Sequence, residues 1–279
     1  MEYNKYRSLM TDEIDKALAG YAAMPGGEEH AAAVYEAMRY ALFPGGKRLR
    51  PLILLSVCEG LGGGQELAMP FACALEMIHC YSLIHDDLPA MDDDDMRRGK
   101  PACHIAFGEG TAILAGDALL NTAYEIMARA CIENGTAAVK AMNVIAEAAG
   151  ACGMIGGQIA DILYENKRVN EQTLNYIHKH KTAALFAGAA EAGALLAGAD
   201  NERALRLTKA GKAFGLAFQI MDDIADAEEE TDKNTYITVH GMRKAREDFE
   251  TLFKESVAGF SAECGAESFT VWLISRLSG

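Results

Sequence analysis

Apolar residues recur at intervals of three and four, the spacing that places them on one helix face, over residues 29–41, 67–88, 111–132, 137–151, 171–199 and 206–227. These segments are rich in Ala, Leu, Met and Glu, all strong helix formers. No stretch alternates apolar and polar residues convincingly enough to predict a strand. Pro44-Gly45-Gly46, Gly62-Gly63-Gly64, Asn134-Gly135 and Gly156-Gly157 punctuate the chain with residues that end or turn helices. The pattern predicts an all-α fold, one helical bundle around a central active-site cavity. Neither a Pro/Gly/Ser-rich linker nor an internal repeat divides it, so residues 1–279 read as a single domain.

The longest apolar run, Thr182 to Ala199, is built mainly of Ala and Gly and is interrupted by Glu191. It predicts a tightly packed buried helix and no membrane insertion. Residues 1–15 are polar and charged and lack the apolar core of a secretory signal, which predicts a cytoplasmic protein. Seven scattered cysteines, mostly among apolar neighbours and without a CxxC pair, predict reduced thiols in the core. A net charge of −14 argues against a nucleic-acid partner, which needs a basic face to neutralise phosphates. A small phosphorylated substrate stays open, because a bound divalent cation reverses the sign of an acidic cluster.

The acidic residues are concentrated. Asp86, Asp87, Asp92, Asp93, Asp94 and Asp95 are followed at once by Arg97, Arg98 and Lys100. Pro89 disfavours helical geometry at Leu88, so a helix carrying Asp86 and Asp87 should end there and the chain should turn to bring Asp92 back. Read alone, such a run is a solvated loop. A second cluster changes that reading: Gln219, Asp222 or Asp223, and Asp226 share a helix face in an otherwise apolar stretch, which is unfavourable without a partner. The two clusters are expected to face each other across the cavity, with a hard divalent cation, Mg²⁺ or Ca²⁺, and a polyanion between them.

Further groups could complete such a site. Lys47, Arg48 and Arg50 follow two glycines, where backbone and cation could both approach a phosphate. His79 lies two helical turns before Asp86, near the same face. His178-Lys179-His180-Lys181-Thr182 leads into the Ala/Gly-rich helix, and Gly156-Gly157-Gln158 with Asp161 resembles a polar kink in a packed helix. Lys233 follows the second cluster and could reach back over it. Each alone has an ordinary explanation as a basic turn, a structural histidine or a kink; together they form an ordered set.

In that order and approximate spacing, Gly46-Lys47-Arg48-Leu49-Arg50-Pro51, the DDxxxxD motif at Asp86, Asp87 and Asp92, Arg97-Arg98, Gly156-Gly157-Gln158, Lys181-Thr182 and FQxxDDxxD at Phe218 to Asp226 resemble the short-chain trans-isoprenyl diphosphate synthases, the farnesyl and geranylgeranyl diphosphate synthase family. The resemblance covers nearly the whole chain and implies an isoprenoid synthase-like helical fold, two to three Mg²⁺ ions, diphosphate substrates and a homodimer. It implies Asp86, Asp92 and Asp222 as metal ligands, supported by Asp87, Asp223 and Asp226. It gives Arg97, Lys181 and Lys233 to the allylic diphosphate, and Gly46, Lys47, Arg50, His79 and Arg98 to isopentenyl diphosphate. Thr182 and Gln219, catalytic with Lys181, would offer oxygens to the developing carbocation.

An aromatic residue at Tyr81, five positions before Asp86, together with four residues between Asp87 and Asp92, implies a farnesyl product, with geranylgeranyl diphosphate as the alternative. One departure stands out. The resembled family carries a longer loop with a Gly-Lys pair after the second motif, whereas Asp226 here is followed directly by Ala227-Glu228-Glu229-Glu230-Thr231-Asp232-Lys233. That keeps a second reading open, a non-catalytic or regulatory subunit of a prenyl synthase. A terpene cyclase is a third, but it would leave Lys47, Arg50 and His79 without an isopentenyl diphosphate to hold.

Overall fold

A computed structural model describes residues 2–165, 167–227 and 234–276, and they are overwhelmingly helical. The chain divides into two compact units, residues 1–52 with 66–138 and residues 53–65 with 139–279.

The first unit contains α1 (Glu2–Tyr21), α2 (Ala32–Leu42) and the start of α3 (Leu49–Gly60). It also holds nearly all of α4 (Gln65–Asp86), a hairpin of β1 (Met96–Arg97) and β2 (Lys100–Pro101), α5 (Cys103–Phe107) and α6 (Glu109–Asn134). α1, which the periodicity misses among its many charges, buries only the stripe Met10, Ile14 and Leu18. α4 is buried nearly all round from Phe71 to Met77. The hairpin corrects the expectation of no strands. Its strands are two residues each, too short to show alternation, and its turn sits on Arg98 at φ 55° and Gly99 at φ 75°, the paired positive values of a tight hairpin turn.

The second unit holds the rest of α3 and most of α7 (Thr136–Ala149), then α8 (Met154–Tyr164), α9 (Glu171–Ile177) and a π-helical turn over His178–Ala183. These are followed by α10 (Ala184–Leu196), α11 (Asn201–Ala225), α12 (Tyr236–His240), α13 (Met242–Cys264) and α14 (Phe269–Ser275). α11 starts where the Asp200 side chain accepts from the Arg203 amide at 2.8 Å, a helix N-cap. It packs closely on α10: a methyl on Gly211 would come 2.7 Å from the Phe186 carbonyl, and Phe186 meets Phe214 edge-on at 5.1 Å. Arg203 and Arg206 both grip Glu263 near the end of α13, at 3.1 and 2.5 Å.

The run from Thr182 is buried as expected, but Gly156-Gly157 is not a break. Both residues lie inside α8, and the chain turns earlier, over Gly150 to Gly153. Among the cysteines, Cys58, Cys73, Cys80 and Cys103 are buried while Cys152 is exposed. By length and composition alone, Gln65–Asp86 and Thr136–Tyr164 could each cross a membrane; 67% of the apolar window is buried in the first and 33% in the second.

Candidate active site

In the first unit, α4 ends at Asp86 as Pro89 requires, and the chain folds back so that the Asp92 amide donates to the Asp86 carbonyl at 2.9 Å. Asp86 is half-buried and Asp92 exposed, so two carboxylates from one turn can reach a common cation. Asp87 behaves differently. It is only 2% exposed and accepts from Arg97 Nε at 2.8 Å and also from Arg97 Nη2. Burial raises its carboxyl above the usual value, and Arg97 pulls it back. Arg97 also bonds Asp94 at 3.0 Å. The guanidinium assigned from sequence to a diphosphate is thus turned onto two carboxylates in this structure.

The residues expected to hold isopentenyl diphosphate share one neighbourhood. A methyl on Gly46 would come 3.2 Å from Arg98 Nη2, so this glycine leaves room for that guanidinium. The imidazole of His79 is held well below its ordinary value of 6.5, first by burial and then by Arg50, Arg98, Arg48 and Arg97. Arg98 is positioned by its hairpin, which is docked through Lys100 to the Phe43 carbonyl at 2.7 Å and through the Tyr40 hydroxyl to the Pro101 carbonyl at 2.8 Å. Lys47 is exposed and Arg50 half-buried. Arg48, between them, is buried and spent on structure: it bonds Asp15 at 2.9 Å, Glu76 at 2.6 Å and the Leu42 carbonyl at 2.7 Å. The basic motif therefore offers Lys47 and Arg50, with Arg48 as their foundation.

Tyr81 lies on α4, 6% exposed, its ring edge-on to His85 at 5.7 Å. Its buried hydroxyl has no hydrogen-bond partner among the described residues, and burial pushes its pKa up to about 12.

In the second unit, the π-helical turn carries both Lys181 and Thr182, a widened turn of a kind often found at functional sites. Lys181 Nζ bonds Asp161 on α8 at 2.6 Å, and α8 comes close enough to do so because Gly157 lies against the Lys181 backbone. Thr182 donates to Gln219 Oε1 at 2.6 Å, and Gln219 Nε2 donates to Asp223 Oδ1 at 2.9 Å. Asp223 Oδ2 accepts from the Tyr236 amide at 2.6 Å and lies 3.7 Å from His178 Nε2. Burial depresses the His178 pKa while Asp223 opposes that shift. Asp222 is half-buried and Asp226 exposed. Lys233 and the shortened stretch Glu228–Asp232 lie outside the described residues.

Sequence reasoning overlooked the Tyr236 amide, because backbone donors leave no trace in residue identity. The same holds for the purely structural duty of Arg48.

A sequence model described as polyprenyl synthetase matches residues 31–255. The chain belongs to the polyprenyl synthetase family. This prenyl synthase is 43% identical to the large subunit 1 of a heterodimeric geranylgeranyl pyrophosphate synthase from Arabidopsis thaliana, over 94% of this chain and 76% of that one. Among solved structures it resembles an apo FPP/GFPP synthase from Zymomonas mobilis, with TM-score 0.91, 35% identity and 99% of each chain covered. It also resembles a geranyltransferase from Helicobacter pylori complexed with magnesium and isoprenyl diphosphate, with TM-score 0.86, 28% identity, and 100% and 97% of the two chains covered. It is a short-chain trans-isoprenyl diphosphate synthase with the all-α isoprenoid synthase fold.

The donor set fits the Mg²⁺ on which such prenyltransferases depend. No three His, Cys, Asp or Glu side chains among the described residues converge into a cage. The turn that joins Asp86 to Asp92 suits a cation that takes one or two carboxylates and completes its shell with water and substrate phosphates. Within the first unit Asp86 and Asp92 would hold one such ion, within the second Asp222 would hold a further one, and bound Mg²⁺ would neutralise charge on the departing diphosphate. Within the second unit the Thr182 hydroxyl and the Gln219 carboxamide already sit together at 2.6 Å as a pair of oriented dipoles.

Proposed function

We propose that this synthase condenses isopentenyl diphosphate with dimethylallyl and geranyl diphosphate and releases farnesyl diphosphate, using two to three Mg²⁺ ions and working as a homodimer. Lys47, Arg50, His79 and Arg98 hold isopentenyl diphosphate; Lys181, Arg97 and Lys233 hold the allylic diphosphate. Arg97 reaches its phosphate only by relaxing its bond to Asp94, which is half-exposed and weak in solvent. Ionisation of the allylic diphosphate leaves a carbocation, the isopentenyl double bond attacks its C1, and the released diphosphate takes the proton, so no side chain need be a strong base.

The observation that carries the fifteen-carbon product is Tyr81. Five residues before Asp86 on one helix, it sits about 7.5 Å further along the axis. Its ring is buried and braced edge-on by His85, so it can serve as a floor under the growing tail. A geranylgeranyl product is the second reading, favoured by relatives with that printed name from Arabidopsis thaliana and Catharanthus roseus. Incubation with Mg²⁺, radiolabelled isopentenyl diphosphate and each allylic primer, followed by product chromatography, separates them. Fifteen-carbon product from the two shorter primers supports the proposal, and twenty-carbon product as the main species supports the second reading. No incorporation from any primer points to a non-catalytic subunit.

A further inference from the structure

Asp222 and Asp223 are adjacent on α11, so their side chains leave the helix about 100° apart and cannot do the same job. Asp222 is half-buried; Asp223 is 6% exposed. Both Asp223 oxygens are already engaged by protein donors, Oδ1 by Gln219 Nε2 at 2.9 Å and Oδ2 by the Tyr236 amide at 2.6 Å, with His178 Nε2 a further 3.7 Å contact. A metal-ligating carboxylate needs lone pairs that point at the ion.

Gln219 supplies the other half of the argument. A carboxamide can point either its oxygen or its nitrogen at a neighbour, and shape alone hardly distinguishes them. Asp223 is an acceptor when ionised, so only the amide nitrogen can face it; the reverse orientation would set two acceptors against each other. The oxygen must then face Thr182, which donates to it at 2.6 Å. With the hydroxyl hydrogen committed to Gln219, the Thr182 oxygen keeps its lone pairs for another positive group.

We propose that Asp223 is a positioning residue rather than a metal ligand: it fixes the orientation of the Gln219 carboxamide and, through it, of the Thr182 hydroxyl. The Tyr236 amide holds Asp223 in turn, so the segment that follows the shortened loop is tied to the polarity of the whole chain. The inference rests on the prenyltransferase reading only for its kinetic arm.

The test is a donor exchange. Asp223→Asn alone places an amide donor against Gln219 or Tyr236 and should lower kcat roughly tenfold or more. Its half-saturating Mg²⁺ should stay within about twofold of the parent, because the bound ion is untouched in this scheme. Adding Gln219→Glu restores every hydrogen bond with the roles reversed. The carboxamide now at position 223 donates to the carboxylate now at position 219, which also accepts from Thr182, while the carboxamide oxygen accepts from the Tyr236 amide. The pair should regain most of the lost kcat. Mn²⁺ binding with inorganic diphosphate, read by electron paramagnetic resonance, needs no turnover; Asp222→Asn should weaken it, whereas the exchanged pair should match the parent. A rise in half-saturating Mg²⁺ in Asp223→Asn without rescue by the pair, or a pair that loses Mn²⁺ as Asp222→Asn does, overturns the proposal. If Asp223→Asn fails to fold, the exchanged pair and its Mn²⁺ titration still decide. A parent that incorporates no isopentenyl diphosphate would refute the proposed function and leave the Mn²⁺ result standing on its own.

Discussion

Gly157 lies against the backbone of Lys181, so closely that a methyl group on it would come 2.7 Å from the Lys181 Cα. Gly157→Ala must push α8 away from the π-helical turn, which carries the Asp161–Lys181 ion pair with it. Overpacking of this kind typically destabilises by about 1–3 kcal/mol. A lower urea midpoint together with a raised KM for the allylic diphosphate is expected; an unchanged midpoint and KM would show that the contact relaxes freely.

The paired aspartates of the first motif should separate activity from stability. Asp86→Ala removes a carboxylate proposed to hold Mg²⁺ and should slow turnover on the order of 10²-fold or more with little change in the melting temperature. Asp87→Ala leaves Arg97 without its buried partner. The pair is only partly enclosed, Arg97 being 34% exposed, so the loss should fall short of the fully buried case, about 1–3 kcal/mol. Parallel thermal melts and rates on the two variants check both statements.

His79 predicts a pH dependence. Unfolded, it titrates near its ordinary 6.5; folded, it takes a proton only at much lower pH. The unfolded chain therefore binds more protons below about 6.5, and stability is full above that value and falls as the pH drops through the window beneath it. A loss of about 1 kcal/mol between pH 7.5 and 5.5 is expected in urea titrations, most of it absent in His79→Gln. His178, whose pKa is also lowered by burial, adds in the same direction. Inorganic diphosphate bound beside His79 should favour the protonated ring and stabilise more at pH 5.5 than at 7.5.

Tyr81 carries two separable expectations. Its hydroxyl is buried without a partner among the described residues, so Tyr81→Phe should leave stability unchanged or raise it by about 1 kcal/mol, with the same product. Tyr81→Ala opens the floor and should shift product toward twenty carbons or longer. Chromatography of the products decides, and an unlengthened distribution would place the chain stop elsewhere.

Much of this was legible in the residues. The helix end at Asp86, the return of Asp92 and the burial of the Ala/Gly-rich run follow from Pro89 and from apolar periodicity. Gly156-Gly157 misled, because a glycine that ends a helix and a glycine that lets another backbone approach look alike in sequence. α1 stayed hidden because three buried residues in twenty make a narrow stripe. The inward turn of Asp87 and Asp223 could not be read from DD pairs either, since which of two neighbours faces the core depends on the phase of the helix that carries them.

The buried Arg48 makes the first helix an anchor. Its guanidinium reaches back to Asp15 on α1, while in sequence it lies between Lys47 and Arg50, the cations proposed to hold isopentenyl diphosphate. A chain shortened to begin after Asp15 would lose one of the two carboxylates that neutralise that cation, loosening the segment around Arg48 far along the sequence from the cut. Trimming for crystallisation should therefore stop well before Asp15, and N-terminal proteolysis that removes Asp15 should be read first as damage to the segment around Arg48.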